Sequence, residues 1–351
     1  MQTFMDRHRE RMRLRFNVTG KVSDEISGGL SVATGTLEDV NSTNQTMTGF
    51  FTRKNIGIDR MFMAYKPKWF KPLAVTGGKF AYNWVRTPLT FDNDINPEGF
   101  GEVLSFDIEN PVLKNITLSG FQLPFLESSA GYNSGLYGGQ LQTRWKLSDK
   151  TNLGLHAAGL NFNRADPIAA APLTILNPSL PNSNTVITNA NGIVTGYAYK
   201  FLYLDMIAQI DYALSTRFPM TVLFNFVNNT RAGHQRSGYW GDVTFGRLKE
   251  AKDIQFGYSN IWIEKDAVVA AFNESDLRSA TNVRNHRFLF GYQALNNLTL
   301  QWTMWYGRLA DPYQNTALLP PANRPACTTP SSAKCEDSYL TRMQFDFIYK
   351  F

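Results

Sequence analysis

The C-terminal stretch YLTRMQFDFIYKF, residues 339–351, decides the fold class of this chain. Large side chains recur at every second position, and one face of an extended chain carries Tyr339, Thr341, Met343, Phe345, Phe347, Tyr349 and Phe351. The opposite face carries Arg342, Gln344, Asp346 and Lys350. Successive side chains point to opposite faces of a β-strand, so the stretch predicts a strand with one largely apolar and one polar face.

The same alternation recurs along the chain. Clear examples are EVLSFDIE (102–109), KFLYLDMIAQIDY (200–212), HRFLFGYQ (286–293) and LTLQWTMWYG (298–307). Such segments have about the 9 to 11 residues that a tilted strand needs to cross an outer membrane. Read along the whole chain, the alternation predicts about fifteen strands.

Composition excludes a helical membrane protein. The chain has 351 residues, of which 13% are aromatic and 18% charged, and its mean hydropathy is −0.28. A membrane helix needs about 20 consecutive apolar residues, whereas the longest apolar runs are PIAAAPLTIL (167–176) and DAVVAAF (266–272). We therefore predict an all-β chain, a transmembrane antiparallel β-barrel that forms one domain over residues 1–351.

Connection lengths alternate between short and long, as expected for periplasmic turns and extracellular loops of a barrel. The first connection is short and the last is long, so the first and last visible strands run in the same direction. Adjacent strands of a closed antiparallel barrel run in opposite directions. We therefore expect one further strand before Met1, about 16 strands in the complete protein, and a natural N-terminus with a signal peptide that this sequence lacks.

Five arginines alternate in DRHRERMRLRF, residues 6–16. On a strand, Arg9, Arg11, Arg13 and Arg15 share one face, and Met12, Leu14 and Phe16 share the other. In a barrel the arginines then face the lumen, together with Arg144 and Lys146 of GGQLQTRWKL (138–147). Rows of arginine favour anions in pores. The alternative interpretation is structural, with the arginines paired to carboxylates of neighbouring strands.

A second charged motif is FDNDINPEGFGE, residues 91–102, in which a predicted loop carries the carboxylates of Asp92, Asp94, Glu98 and Glu102. Folded inward, this loop opposes the arginine row across a constriction. Oxygen-rich loops also bind calcium, although the spacing here is not that of an EF-hand, and a solvated loop is a third interpretation.

Two further segments carry predictions. Segment 164–196 contains DPIAAAPLTILNPSLP, which is too apolar for a simple exposed loop; it folds into the lumen, packs against a neighbouring subunit or packs on the rim. Cys327 and Cys335 lie in a Pro/Thr/Ser-rich stretch without a nearby histidine. This spacing favours a local disulfide in an oxidising compartment over a metal site, with free thiols as the alternative.

Several motifs resemble the putative-porin family of Gram-negative outer membranes. They are DRHRERMRLRF, then GKVSDEISGGLSVATGT (20–36), STNQTM (42–47), GGKFAYNW (77–84) and FDNDINPEGF (91–100), and the resemblance extends diffusely over the chain. It implies a passive outer-membrane channel. Family members usually carry a signal peptide and one more arginine-bearing strand upstream. The terminal Tyr349 and Phe351 resemble the insertion signal that the barrel-assembly machinery reads.

No catalytic function is predicted. The four histidines are dispersed, and no nucleophile, metal-binding, phosphate-binding or nucleic-acid motif is present. The net charge of +6 suits small anionic solutes or lipopolysaccharide. We predict a porin for small hydrophilic solutes, without cofactor or metal, and leave a homotrimer open. The alternatives are a channel specific for phosphate or another oxyanion, and a non-conducting barrel with a structural or adhesive role.

Overall fold

The computed structural model describes residues 8–127, 133–171, 183–311 and 338–351. These residues form one short helix, α1 (Asp166–Ala170), and strands in the following order. The strands are β1 (Arg11–Met12), β2 (Arg15–Lys21), β3 (Ile26–Thr34), β4 (Gln45–Thr46), β5 (Ile56–Tyr65), β6 (Leu73–Lys79), β7 (Glu98–Asp107), β8 (Leu113–Leu126), β9 (Ser134–Lys146), β10 (Thr151–Asn163), β11 (Val186–Thr188), β12 (Val194–Tyr197), β13 (Phe201–Tyr212), β14 (Met220–Asn229), β15 (Ser237–Gly246), β16 (Ile254–Ile263), β17 (Val283–Leu295), β18 (Leu298–Leu309) and β19 (Leu340–Tyr349).

Fifteen of these strands form a single antiparallel sheet. Its order follows the chain from β2 through β3, β5 to β10 and β13 to β19, while β1 pairs with β4 and β11 with β12 in two small sheets. Long hairpins dominate: β10 and β13 stay in register from Thr151 opposite Tyr212 to Phe162 opposite Phe201. The predicted all-β antiparallel fold of about fifteen visible strands is confirmed.

The two faces of the sheet differ as the alternation predicts. On β13, Leu204 and Met206 are about half exposed on the outer face, whereas Tyr203, Asp205 and Ile207 on the inner face are buried. On β19, Phe345 and Phe347 are exposed on the outer face. An apolar outer face and a polar or covered inner face suit a sheet whose convex side meets lipid.

The ends of the sheet lie close to each other. Arg11 and Arg13, near the β2 edge, interact electrostatically with Asp346 of β19, the opposite edge. The sheet is therefore strongly curved and has a concave inner face. Within the described ranges, no helix is long and apolar enough to span a membrane. The sixteenth strand stays a prediction.

The arginine run does not form one continuous strand, contrary to our prediction. Arg11 and Met12 pair with Thr46 and Gln45, outside the main sheet, and β2 begins only at Arg15. At the end of the ladder the Leu14 carbonyl oxygen still accepts from the Thr34 N–H at 3.0 Å, but the Leu14 N–H donates to the side-chain hydroxyl of Thr34 at 3.0 Å instead of to a backbone carbonyl. The backbone ladder between β2 and β3 therefore ends there, and the preceding residues pair with another partner.

The position of two predicted loop carboxylates is also corrected. β6 ends at Lys79, and the chain then turns to the concave side. Glu98 and Glu102 lie in β7 rather than in a loop, because residues 98–104 pair with residues 73–79 of β6. Gly78, opposite Gly99, has a φ of +115°, and a Cβ there would lie 2.4 Å from the Met61 carbonyl oxygen. This close approach requires glycine.

A hydrophobic core lies on the concave side of the sheet. It joins inward side chains of distant strands, such as Leu160 of β10 and Trp240 of β15, with Trp84 and Val268 from two connections. These connections are residues 80–97, between β6 and β7, and residues 264–282, between β16 and β17. We call them the first and second inward segments.

Candidate channel lumen and its inward segments

The first inward segment crosses the concave face. The Gln140 side chain of β9 exchanges two hydrogen bonds with the backbone of Val85, at 2.8 and 2.7 Å. Two residues further on, the Thr87 hydroxyl donates to Asn225 of β14. Burial of Leu89 and Phe91 in the core adds an apolar anchor. The segment therefore spans from β9 to β14 rather than extending into solvent.

The same segment returns to the N-terminal strands through ion pairs. Asp94 accepts from Arg15 at 2.9 Å and from Arg13 at 3.4 Å, and the Arg15 Nε lies 3.6 Å from Asp59 of β5. Asn96 donates to Asp59 at 2.8 Å. Because Asp59 and Asp94 are largely shielded from solvent, these contacts fix the end of the segment against the wall.

The structure thus separates the members of the predicted arginine row. Arg13 and Arg15 pair with the inward segment, Arg11 lies on β1, and Arg9 lies exposed before it. The structural interpretation predicted that these arginines pair with carboxylates, and Arg13 and Arg15 do so with Asp94 of the first inward segment. The partner comes from 79 residues further along the chain, not from a neighbouring strand.

Arg144 and Lys146 lie on the inner face near the short turns. They follow Gln140 and Gln142 on alternate positions of β9, and the residue opposite Arg144 on β10 is Gly154. The residue opposite Arg144 on β8 is Asn115, and the Arg144 side chain is exposed. Lys146 pairs with Asp149 of the adjacent turn at 2.7 Å.

The four predicted loop carboxylates have different surroundings. Glu98 pairs across strands with Lys79 at 2.7 Å, and Glu102 accepts from Gln122 at 3.2 Å. Asp94 binds the arginines, and Asp92 is buried. In the part of the chain that the structure describes, no group of three or more His, Cys, Asp or Glu side chains could hold a metal ion.

The second inward segment was not predicted as part of the site. Its Val269 N–H donates to the buried hydroxyl of Tyr203, and its Asp276 accepts from Arg342 of β19 at 2.6 Å. Asn41, from the connection after β3, donates to the carbonyl oxygen of Ala271 at 3.0 Å. The available signal was the run DAVVAAF, which is apolar although it lies between two predicted strands.

The two inward segments meet at one junction. The Asp92 N–H donates to the Phe272 carbonyl oxygen at 2.7 Å, and the Glu274 N–H donates to the Pro88 carbonyl oxygen at 3.0 Å. The Asp92 carboxylate accepts from the Ser275 N–H at 3.0 Å. Backbone and side-chain bonds therefore join the two segments on the concave side.

Two carboxyl groups are buried at this junction. The pKa of Glu274 is raised to about 8, mainly by burial and to a smaller extent by the nearby carboxylate of Asp92. Burial also raises the pKa of Asp92 to about 6, opposed by the N–H groups of Asp94 and Ser275. Burial disfavours the charged form of a carboxyl group, and a second carboxylate adds to that cost. Asp92 accepts from two backbone N–H groups, whereas Glu274 accepts from one, that of Asp276 at 3.1 Å, so the hydrogen bonds favour the negative charge on Asp92 and the proton on Glu274.

A cavity of about 360 Å³ lies between the first inward segment and the wall formed by β3 and β5. One part of its lining is aromatic, with Tyr82, Phe91 and Phe272, and another is polar, with Asp59 and Asp94. The arginine partners neutralise these two carboxylates. The cavity is therefore a space beside the inward segments, and Arg13 and Arg15 compensate the charges of Asp59 and Asp94 in its wall.

Segment 164–196 begins on the concave side. Ile168 and Ala169 of α1 join the core, and Asn184 donates to the carbonyl oxygen of Val268 at 2.7 Å. The described end that contains Asn184 therefore packs against the second inward segment, and α1 packs into the core. Residues 172–182, and Cys327 and Cys335 with their predicted disulfide, lie outside the described residues.

The terminal aromatic residues lie at the end of β19. Tyr349 and Phe351 are exposed, with ring centroids 6.2 Å apart. Their predicted role as an insertion signal stays a prediction.

Comparison with known proteins identifies the class of barrel. The sequence model of a family described as "Putative porin" matches residues 1–190. A search of curated proteins found no match. OprB from Pseudomonas putida has a TM-score of 0.54 at 11% identity, with 98% of this chain and 88% of OprB covered.

Two other solved structures are similar at equally low identity. Wzi from Escherichia coli, described as a carbohydrate-binding β-barrel involved in capsule assembly, has a TM-score of 0.53 at 10% identity, covering 97% of this chain and 71% of Wzi. OmpF from Salmonella typhi, in a complex with daunomycin, has a TM-score of 0.50 at 8% identity, covering 97% and 90%. These likenesses establish the fold, which is that of outer-membrane β-barrels.

Proposed function

The chain belongs to the Putative porin family and is an outer-membrane porin β-barrel of a Gram-negative bacterium, and on this premise we propose that it conducts small hydrophilic solutes by passive diffusion with a weak preference for anions. The proposal assigns no catalytic step and no cofactor to the chain.

The exposed Arg144 on the concave face carries the proposed preference. It lies among polar inner-face neighbours, including Gln142 and Asn115, and no described carboxylate forms an ion pair with it. An uncompensated cation in a lumen attracts anions and repels cations. Arg13 and Arg15 contribute less, because Asp94 and Asp59 compensate their charge.

The test is the reversal potential of the full-length protein in a planar bilayer under a potassium chloride gradient. We expect mild anion selectivity that falls in Arg144→Gln, because one uncompensated lumen charge is lost. We expect a smaller change when Arg11 and Arg13 are both replaced by serine. Arg53→Gln, on the exposed connection between β4 and β5, is the charge-matched control.

Two results would contradict the proposed preference. Channels that conduct equally well for both ions would remove the anion preference and leave a general porin. An unchanged reversal potential in Arg144→Gln would remove that residue from the mechanism. Block of the chloride current by millimolar phosphate would favour the alternative of an oxyanion-specific channel.

The core on the concave side favours a second candidate function. The two inward segments and the side chains packed against them cover much of the inner face near the long connections. A barrel closed in this way would be structural or adhesive, and it would give no stepwise current. Assembly into a homotrimer, contact with lipopolysaccharide and recognition by the barrel-assembly machinery stay predictions.

A further inference from the structure

The junction of the two inward segments is the place where the concave side can change shape. Elsewhere each segment is attached to the wall, through Gln140, Asn225 and Arg15 for the first and through Tyr203 and Arg342 for the second. Between the segments, the contacts are backbone and side-chain hydrogen bonds, the stacked rings of Phe91 and Phe272 with centroids 6.3 Å apart, and one pair of buried carboxyl groups. A change confined to the junction therefore leaves the attachment of each segment to the sheet intact.

We propose that Asp92 and Glu274 form a proton-dependent clasp that holds the two inward segments together and releases them in alkaline solution. Asp92 acts as the anionic acceptor of the pair. Its carboxylate accepts from the N–H groups of Ser275 and of Asp94, at 3.0 and 2.9 Å. Glu274 keeps its proton and is buried against the first segment. Loss of that proton places a second negative charge beside Asp92 in a site shielded from water.

The charged neighbours compensate this second charge only in part. Of the first inward segment, the cation Arg86 attracts both carboxylates, while the carboxylate of Asp94 adds a negative charge beside Asp92. Asp276 of the second segment adds a negative charge, and Arg287 of β17 adds a positive one that Asp242 already compensates at 3.1 Å. Burial raises the pKa of Tyr82, so its phenol stays neutral. The net surroundings therefore favour the protonated form of Glu274.

The direction of the effect follows from linkage. The pKa of Glu274 is about 8 in the clasped form, against an ordinary value of 4.5 for an exposed group. A raised carboxyl pKa means that the clasped form binds the proton more tightly than the released form does. The resulting stabilisation of the clasped form is complete at a pH below the ordinary pKa and is lost at a pH above the raised pKa. With one proton linked, the ratio of released to clasped molecules rises by at most about tenfold per pH unit across this window.

Hydrogen exchange tests the clasp without requiring a current. The amides of Asp92, Glu274 and Ser275 donate across the junction, so release removes their protection. In detergent micelles, we expect their protection factors, corrected for intrinsic exchange, to fall as pH rises from 5 to 9. In Glu274→Gln the protection should stay constant above about pH 7, because the remaining carboxyl group of Asp92, whose pKa is about 6, is then largely ionised. Glu109→Gln, which changes an exposed carboxyl group in a short turn, should follow the wild type.

A second variant keeps the proposal open to refutation if Glu274→Gln does not fold. In Asp92→Asn the charge that raises the pKa of Glu274 is absent, so the loss of protection should move to lower pH. Constant protection in the wild type would overturn the clasp. So would an unchanged pH profile in whichever of these two variants folds.

Current recordings then connect the clasp with the proposed channel. This step rests on the proposed function: release should increase the time spent at a larger conductance level as pH rises, and Glu274→Gln should abolish this increase above about pH 7. Absence of any current, together with pH-dependent protection, would reject the channel and keep the clasp. Steady current with constant protection would reject the clasp and keep the channel.

Discussion

The concave face of the sheet differs between its two ends. Near the long connections, Trp84, Leu160 and Val268 are packed into a core. Near the short turns, Gln142 and the exposed Arg144 line an uncovered polar wall. The strands alternate in the same way at both ends, so alternation alone defines which side chains point inward. Whether those side chains contact water or a folded segment depends on the connections.

The largest expected effect concerns the covered end. Trp84 stacks on Phe121 of β8 with ring centroids 4.0 Å apart and is buried. Trp84→Ala should lower the free energy of unfolding in urea, followed by circular dichroism, by about 3 to 5 kcal/mol, because a large core side chain is replaced by a cavity. Met206→Ala, on the outer face of β13, is the comparison and should cost less. Equal losses in the two variants would show that the first inward segment does not pack on the wall.

An intermediate effect is expected where the first inward segment meets the N-terminal strand. Arg15→Gln leaves Asp94 and Asp59 without their closest cation. Breaking a fully buried pair costs about 3 to 5 kcal/mol, and the partial exposure of Arg15 reduces this to about 1 to 3 kcal/mol. Urea unfolding measures the loss. Asp94→Asn in the Arg15→Gln background should restore part of it, and a double variant no more stable than the single one would argue against the pair.

The smallest effect on stability is expected at the uncovered end. Arg144→Gln removes an exposed charge without a described ion pair, so the free energy of unfolding should change by no more than about 0.5 kcal/mol. The same variant is expected to alter ion selectivity. A loss of several kcal/mol in urea would show that Arg144 is structural and would weaken its proposed role in the lumen.

Much of the wall was predictable from residue types. The alternation of Leu204 and Met206 with Tyr203 and Asp205 is enough to assign the two faces of β13. The first inward segment was predicted as one of three options for FDNDINPEGFGE. The second was not, because DAVVAAF resembles a short apolar run with no stated partner, and its anchor Tyr203 lies 66 positions away.

The arginine run shows the limit of local reasoning. Its period of two indicates a cationic face, but the same pattern fits a lumen row and a set of structural ion pairs. The choice depends on Asp94, whose position relative to Arg15 is set by the path of the first inward segment across the curved sheet. A charge pattern therefore predicts which face of a strand carries the charged side chains, but it does not predict which groups pair with them.

The sequence by itself determined the strand content, the two faces of the strands and the membership in a porin family, because these depend on alternation and motifs within short stretches. The tertiary structure alone decided which connections fold inward, which arginines are compensated and that Asp92 meets Glu274. These contacts join residues that are far apart in the chain, and they form only when the curvature of the sheet brings its connections together on the concave side.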